Sequence, residues 1–334
     1  VAPHVTVMTC FGVPVRAGYR IPIDVRWLRA RLREVQPDVL ETGDPWVSGP
    51  LALRFKRQGD FAGVVSSFFH ADPVPTYVEP WLTRATRSAR LGHTLSDRVS
   101  RQFYDRQRRY DVTVASSPGV AERLRQQGIV HVMCAPFGVD ARFLDAGRRR
   151  LQSPIRDGRR LLFVGRLQRD KGVDVLLAAL PVLLDQCGVT VTIAGTGPMS
   201  AQIAAYRHPR LHVVGYITNR DQLVETYRAH DVLLAPGPYE TFGLAVLEAL
   251  ASGLSVVGPN CGGTGELLSR LPSPCFFEAG HAESFVDAVC RALTGDRAAR
   301  SEDGVSLARR QGTWSDAIQR EVDQYCAFLS RSTT

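Results

Sequence analysis

Short runs of apolar residues, each followed by a polar or amphipathic stretch, recur along this 334-residue chain. A run that does not alternate with polar residues suits a strand buried on both faces, and the stretches between suit helices that cover it. In the first half the runs Val5–Thr9, Val39–Thr42, Gly63–Ser67, Val112–Ala115 and His131–Cys134 predict strands, with helices at Ile23–Val35 and Arg84–Tyr104. A second series predicts strands at Leu161–Val164, Val189–Ala194, His212–Val214, Val232–Ala235 and Ser255–Gly258. Its helices fall at Val173–Gln186, Ser200–Tyr206, Asp221–Ala229 and Gly243–Ala251. The pattern predicts an α/β protein with two doubly wound parallel-sheet units in tandem. At Asp145–Arg160 charge, glycine and an isolated proline replace the apolar rhythm, which predicts a junction and hinge. Trp314–Leu329 predicts a final amphipathic helix.

Composition narrows the class. With 44% apolar residues the chain can bury two ordinary cores. No stretch has the roughly 18 to 20 uninterrupted apolar residues of a membrane span, and Val1-Ala2-Pro3-His4 does not open a signal peptide, so a cytoplasmic protein is expected. The seven cysteines are scattered without a C-x-x-C pair or a metal-ligand grouping, and read as small reduced residues. The net charge of +8 is lopsided: residues 1–150 hold 23 Arg/Lys against 14 Asp/Glu, residues 151–334 hold 18 against 19. Such a field favours an anionic partner, and it equally fits the solvated surface of an arginine-rich protein. The arginines lack interleaved aromatics and any nucleic-acid-reading motif, which argues against a nucleic-acid binder.

The chemistry gathers at the ends of predicted strands. The string from Ala235 to Gly253 takes a buried strand through a Pro/Gly loop into a helix near Gly243. A helix start exposes unpaired N–H groups and the positive end of the dipole, which suits a diphosphate. Glu240 lies beside that point, and Glu248, eight residues on, leans back toward it, two acceptors suited to sugar and ribose hydroxyls. Phe163–Gly172 repeats the strand, glycine loop and helix, and contains Gly165, Arg166 and Lys171. Lys171 is one of only two lysines beside 39 arginines, and with Arg166 it is suited to neutralising a leaving diphosphate. Ala194-Gly195-Thr196-Gly197-Pro198 is not a dinucleotide fingerprint, because the third glycine is missing and Pro198 lacks a donor. It suits backbone passing close to a base or ribose. His70, after Phe68-Phe69, sits at a strand's carboxyl end, where ligands gather in open α/β sheets; alone, it also reads as a structural histidine.

Together these strings resemble the retaining glycosyltransferases of family 4, with the GT-B fold of two Rossmann-like domains facing across a cleft. The likeness spans nearly the whole chain and is most specific from Leu161 to Glu266. It implies that Glu240 and Glu248 form the family's E-x7-E element, near the donor sugar and the ribose respectively. Arg166 and Lys171 become diphosphate ligands, and His70 lies against the transferred sugar. Backbone N–H groups around Thr241, Phe242, Gly243 and Leu244 hold phosphate or sugar, while Gly195, Thr196, Gly197, Tyr216 and Ile217 line the base pocket. His70, Arg166, Lys171 and Glu240 are the implied catalytic set, with no metal and no cofactor, the nucleotide sugar being a substrate.

The loop before Glu240 and the segment around His70 most resemble bacterial GDP-mannose-dependent mannosyltransferases; a UDP-sugar donor is the alternative. The resemblance implies an acceptor-binding domain at 1–148, a donor-binding domain at 149–312 and a helix at 313–334 that crosses back to the first. The family's opening strand and glycine-rich loop are expected to be missing before Val5–Thr9, so the first domain is expected to be truncated at its start and a catalytically defective nucleotide-binding protein is the alternative of another class. The expected acceptor is lipid-linked, a glycan or a small molecule, with the basic first half resting on an anionic inner-membrane face.

Overall fold

A computed structural model describes residues 12–14, 20–22, 24–70, 72–153 and 159–332. The strand expected at Val5–Thr9 lies outside them. The described part opens with an antiparallel hairpin of β1 (Gly12–Pro14) and β2 (Arg20–Pro22), followed by α1 (Val25–Val35). The first domain continues through β3 (Val39–Thr42), α2 (Ser48–Arg57), β4 (Val64–Phe69), a π-helical turn at Val74–Val78, α3 (Glu79–Thr86), α4 (Ala89–Gln107), β5 (Val112–Ala115), α5 (Pro118–Gln126) and β6 (Val132–Cys134). β3, β4, β5 and β6 form a parallel sheet in that order. β4 and β5 are almost wholly buried, as their unbroken apolar and small-residue sequences require.

The second domain starts its sheet at β7 (Arg160–Val164) and continues with α7 (Val173–Pro181), β8 (Thr190–Ala194), α8 (Ser200–Ala205), β9 (Leu211–Gly215), α9 (Arg220–Ala229), β10 (Val232–Leu234), α10 (Leu244–Ala251), β11 (Ser255–Pro259), α11 (Gly262–Leu268), β12 (Cys275–Phe277), α12 (Ala282–Thr294) and α13 (Arg297–Gln311). Its strands are parallel in the order β12-β11-β10-β7-β8-β9, so the winding reverses between β7 and β10. In open α/β sheets the crevice beyond such a reversal is where ligands bind.

Two expectations need correction. The segment Asp145–Arg160 is not irregular throughout: α6 (Ala141–Leu151) occupies its first half, while 154–158 lie outside the described residues. Phe143 and Ala146 on α6 are fully buried in one cluster with Leu162, Leu233, Leu247 and Leu250 of the second domain. Gly147 is packing rather than flexibility, because a Cβ there would stand 2.0 Å from the carbonyl oxygen of Ala251. The packing therefore changes sides before Ala141. The helix expected at Arg84–Tyr104 is two helices, α3 and α4, broken where Arg87 takes a left-handed φ of 53° and Ser88 caps α4 through the Leu91 N–H.

α14 (Trp314–Ser332) leaves the second domain and lies on the first. Gln324 Nε2 donates to the Cys134 carbonyl oxygen at 3.0 Å, and the Tyr325 hydroxyl donates to Glu41 Oε2 at 2.6 Å. The chain thus crosses between domains twice, and the crossings touch. Val139 and Thr313 form a parallel bridge, the Val139 N–H donates to the Gly312 carbonyl oxygen at 3.0 Å, and Gln311 Nε2 donates to that of Phe137 at 3.0 Å. A Cβ on Gly138 would fall 2.0 Å from the Thr313 oxygen, so only glycine allows this approach.

Candidate functional site

The site forms at the reversal, from the loops that follow β7, β8 and β10. β7 and β8 run in register from Arg160 opposite Thr190 to Val164 opposite Ala194, which brings Gly165 beside Gly195. Gly195 has φ 148°, and a side chain there would meet the Gly165 oxygen at 1.9 Å. Two glycines therefore make a floor of bare backbone. Around it opens a cleft of about 1250 Å³, lined by Gly165, Arg166, Gln168, Gly195, Thr196, Gly197, Tyr216, Ile217 and Arg220, with Arg84 contributed by the first domain. Arg166, Thr196 and Tyr216 are exposed to it.

The loops after β7 and β10 are pressed together. A Cβ on Gly172, whose φ is 68°, would lie 2.5 Å from the Pro236 carbonyl, and one on Gly237 would lie 2.9 Å from the Asp170 oxygen. This contact brings Lys171 Nζ to 2.5 Å from Glu240 Oε1, both side chains remaining about 30% exposed (31% and 28%). An ion pair at that exposure stays available to a ligand, since solvent screens it and holds it only weakly. Gly243, at φ 87°, begins α10 without a side-chain cap, leaving the first N–H groups of the helix for a ligand. Lys171, Glu240, Gly243 and Thr264 line one small recess. The Thr264 hydroxyl is buried with no hydrogen-bond partner among the described residues.

Glu248 reaches the cleft only indirectly. It is 4% exposed; Arg220 Nη2 donates to its Oε1 at 2.7 Å and the Tyr227 hydroxyl to its Oε2 at 3.0 Å. Burial pushes its carboxyl up from the ordinary value, against the pull of the Arg220 guanidinium. Arg220, itself stacked 4.8 Å over the Phe143 ring, presents the pair to the cleft.

The first domain meets this loop directly. The Thr241 hydroxyl, one of the positions expected to hold the donor, donates to the carbonyl oxygen of His70. The His70 ring is exposed, with Nδ1 3.3 Å from the Phe68 oxygen. Behind it Phe68 stacks on Phe137, and Phe137 meets Phe242 and Trp314 at 5.2 and 5.3 Å between ring centroids. Phe242 is thus buried in an aromatic column between domains, and only its backbone faces the loop. Beneath, Gly262 and Gly263 let the Glu240–Phe242 backbone rest on the start of α11, with the Gly263 N–H donating to the Glu240 oxygen at 2.5 Å. Glu266 Oε2 then accepts from Ser117 Oγ and the Gly119 N–H at the head of α5.

The structure therefore collects Arg166, Lys171, Glu240, Gly243 and the glycine floor at one crevice and brings His70 to its rim. Sequence reasoning missed Arg84, Arg220, Thr264 and Phe137. Arg220 carries a usable signal: it follows Asn219, whose side chain caps α9 through the Gln222 N–H, at the end of a predicted loop. Thr264 becomes visible only when α11 packs beneath the loop after β10, and Arg84 and Phe137 only when the domains are brought together.

Two Rossmann-like domains that meet at a crevice of cations, carboxylates and an open helix start define a GT-B glycosyltransferase. Residues 3–143 match the family described as Glycosyltransferase Family 4, and residues 158–295 the one described as Glycosyl transferases group 1. A GDP-mannose-dependent alpha-mannosyltransferase of Mycobacterium tuberculosis is 33% identical over 324 residues, covering 92% of this chain and 78% of that protein. A GDP-mannose-dependent alpha-(1-6)-phosphatidylinositol dimannoside mannosyltransferase of the same species is 29% identical over 277 residues, covering 79% of this chain and 67% of that one. Among solved structures, sucrose-phosphate synthase from Thermosynechococcus elongatus superposes with a TM-score of 0.73 at 20% identity, over 92% of this chain and 77% of its own. The chain belongs to glycosyltransferase family 4.

Proposed function

We propose that this protein transfers a mannosyl group from GDP-mannose to a hydroxyl, with retention at the anomeric carbon and without a metal ion. The observation that carries the reading is the Lys171–Glu240 pair beside the uncapped start of α10, at the sheet reversal. A diphosphate drawn into that recess meets Lys171, Arg166 and the free N–H groups of α10, which supply positive charge as the leaving oxygen becomes negative. That charge does the work a divalent cation would otherwise do. Glu240, released from Lys171 by the incoming phosphate, accepts hydrogen bonds from the sugar hydroxyls. The acceptor enters between the domains past His70 and attacks from the face the diphosphate leaves, so the enzyme acts chiefly by positioning and electrostatics. The Glu248–Arg220 pair orients the ribose side of the donor. The names of the two mycobacterial relatives favour mannose and GDP.

The acceptor is proposed to be lipid-linked. On the first domain, Trp81 is 66% exposed on α3, and Leu91 and Leu95 are 58% and 42% exposed on α4. Arg84, Arg87, Arg90 and Arg98 are exposed on or beside the same two helices, which also carry Glu79 and Asp97, and Arg84 also lines the cleft. Exposed apolar side chains on helices that also expose four arginines suit an anionic lipid face, and would hold the cleft over it. Among the described residues no helix is long and apolar enough to cross a membrane.

Calorimetric titration with GDP, UDP and their sugar conjugates, without added metal, tests the donor. GDP and GDP-mannose are expected to bind; binding of UDP alone would replace the donor, and binding of none would sink the reading. In transfer assays Glu240→Gln is expected to cut turnover at least ~100-fold with folding intact, and Lys171→Ala to weaken donor binding and turnover together.

A further inference from the structure

We propose that Cys187 and Cys290 form a reversible disulfide, an oxidant-responsive modification site on the second domain. Of the six free cysteines among the described residues, these two touch, their sulfurs 3.7 Å apart across 103 residues of sequence. A disulfide needs about 2.05 Å, so the sulfurs must close by well under the width of an atom. The backbone at Cys187 can give that movement. It closes the π turn Val182–Gln186 that follows α7, with its N–H donating to the Val182 oxygen, and the next residue, Gly188, is left-handed at φ 65°. Cys290 supplies the fixed partner, because α12 buries Phe285, Ala288, Val289 and Ala292 in the core. Both cysteines are partly exposed, so a small oxidant reaches them.

Burial and the neighbouring thiol push the Cys187 thiol up, against the pull of Arg159, whose guanidinium also donates to the Cys187 oxygen at 3.0 Å. A raised Cys187 thiol is seldom a thiolate at neutral pH, so Cys187 stays reduced until a competent oxidant arrives. With hydrogen peroxide, one thiolate attacks a peroxide oxygen, forming a sulfenic acid and releasing hydroxide, which takes up the thiol proton as water. The second sulfur attacks the sulfenic sulfur, the S–S bond forms, and the displaced hydroxyl leaves as water with the second thiol proton. Two thiols lose two electrons, and one peroxide gains them. The bond would join the α7 and α12 layers near the amino end of β8, whose first residue is Thr190, while the cleft lies beyond its carboxyl end at Ala194. It would therefore restrain the unfolded chain and leave the donor pocket alone.

The test treats the full chain with hydrogen peroxide, blocks remaining thiols with an alkylating agent under denaturing conditions, and digests with trypsin and Glu-C. The cuts isolate Cys187 in 172–207 and Cys290 in 284–291, apart from Cys275. The expected product is these two peptides joined, two hydrogens lighter than their sum and separated by reductant, with a thermal midpoint raised by ~5 °C before reduction. Cys187→Ser and Cys290→Ser should each abolish both signals. Peroxide that leaves both thiols free for alkylation, or carries them to sulfinic acids without a joined peptide, would overturn the proposal. That result is read on the unaltered chain, whatever the folding of either variant.

Discussion

The hydroxyl of Thr241 donates to the backbone oxygen of His70 at 2.5 Å, so the residue next to Glu240 is tied to the end of β4 in the other domain. Thr241→Val keeps the shape and removes the donor, leaving the His70 oxygen without it. A hydrogen bond of about 1 to 1.5 kcal/mol converts to roughly a tenfold fall in turnover, with a smaller loss of nucleotide affinity because the bond lies outside the base pocket and ties one domain to the other. Single-turnover transfer beside calorimetry separates the two quantities; equal turnover in variant and parent would mean that this contact does not position the loop.

Arg220 is the counter-ion of a carboxylate that is 4% exposed. Arg220→Met should therefore destabilise the protein by about 3 kcal/mol, and adding Glu248→Gln should recover most of the loss. Glu248 already titrates above its ordinary value in the folded state, and losing Arg220 raises it further. A carboxyl raised on folding contributes stability at low pH that is lost as pH rises, so the deficit of the single variant should be larger at pH 8 than at pH 5. Chemical denaturation at both values checks the sign.

The docking of α14 has its own pH dependence. Burial and the Glu41 carboxylate push Glu321 up from 4.5 to about 8. Its contribution is fully present below about 4.5 and is lost as pH rises through about 8. Glu321→Gln should flatten the fall in thermal midpoint between pH 6 and 9, leaving the variant the more stable of the two at the alkaline end. Parallel curves would remove Glu321 as the cause.

Vesicle flotation tests the surface of α3 and α4. The parent chain should bind vesicles containing anionic phospholipid, release them in high salt, and ignore neutral ones. With each arginine near an anionic surface contributing about 1 kcal/mol, reversing Arg87 and Arg98 to Glu should lower partitioning at least ~10-fold. Unchanged partitioning would place membrane contact elsewhere, or nowhere.

Much of the second domain could be read from sequence because its strands are unbroken apolar runs and its ligand loops carry glycines wherever backbones touch. Gly195, Gly172 and Gly237 are examples, each pressed against a neighbouring loop. The same residue misled at Gly147, where three arginines follow and the string resembles a linker; the contact with Ala251 that demands glycine lies more than 100 residues away. The α3–α4 break was hidden for a different reason. Arg87 adopts a left-handed turn without being glycine or asparagine, and the only local signal is Ser88, the cap of α4, set between two amphipathic stretches. Glu248 was found by its spacing from Glu240, yet its partner Arg220 sits 28 residues earlier on another helix. Spacing identifies residues that share an element, and cannot pair residues that only packing brings together.

The twinned crossings at Gly138–Val139 and Gly312–Thr313 give the molecule a redundancy. A protease that cuts at Gly312 leaves the halves covalently joined at Gly138, and one that cuts at Gly138 leaves them held by α14 lying across the first sheet. A chain nicked at either crossing should migrate intact until it is denatured, when a cut at Gly138 releases the first domain and a cut at Gly312 releases only α14.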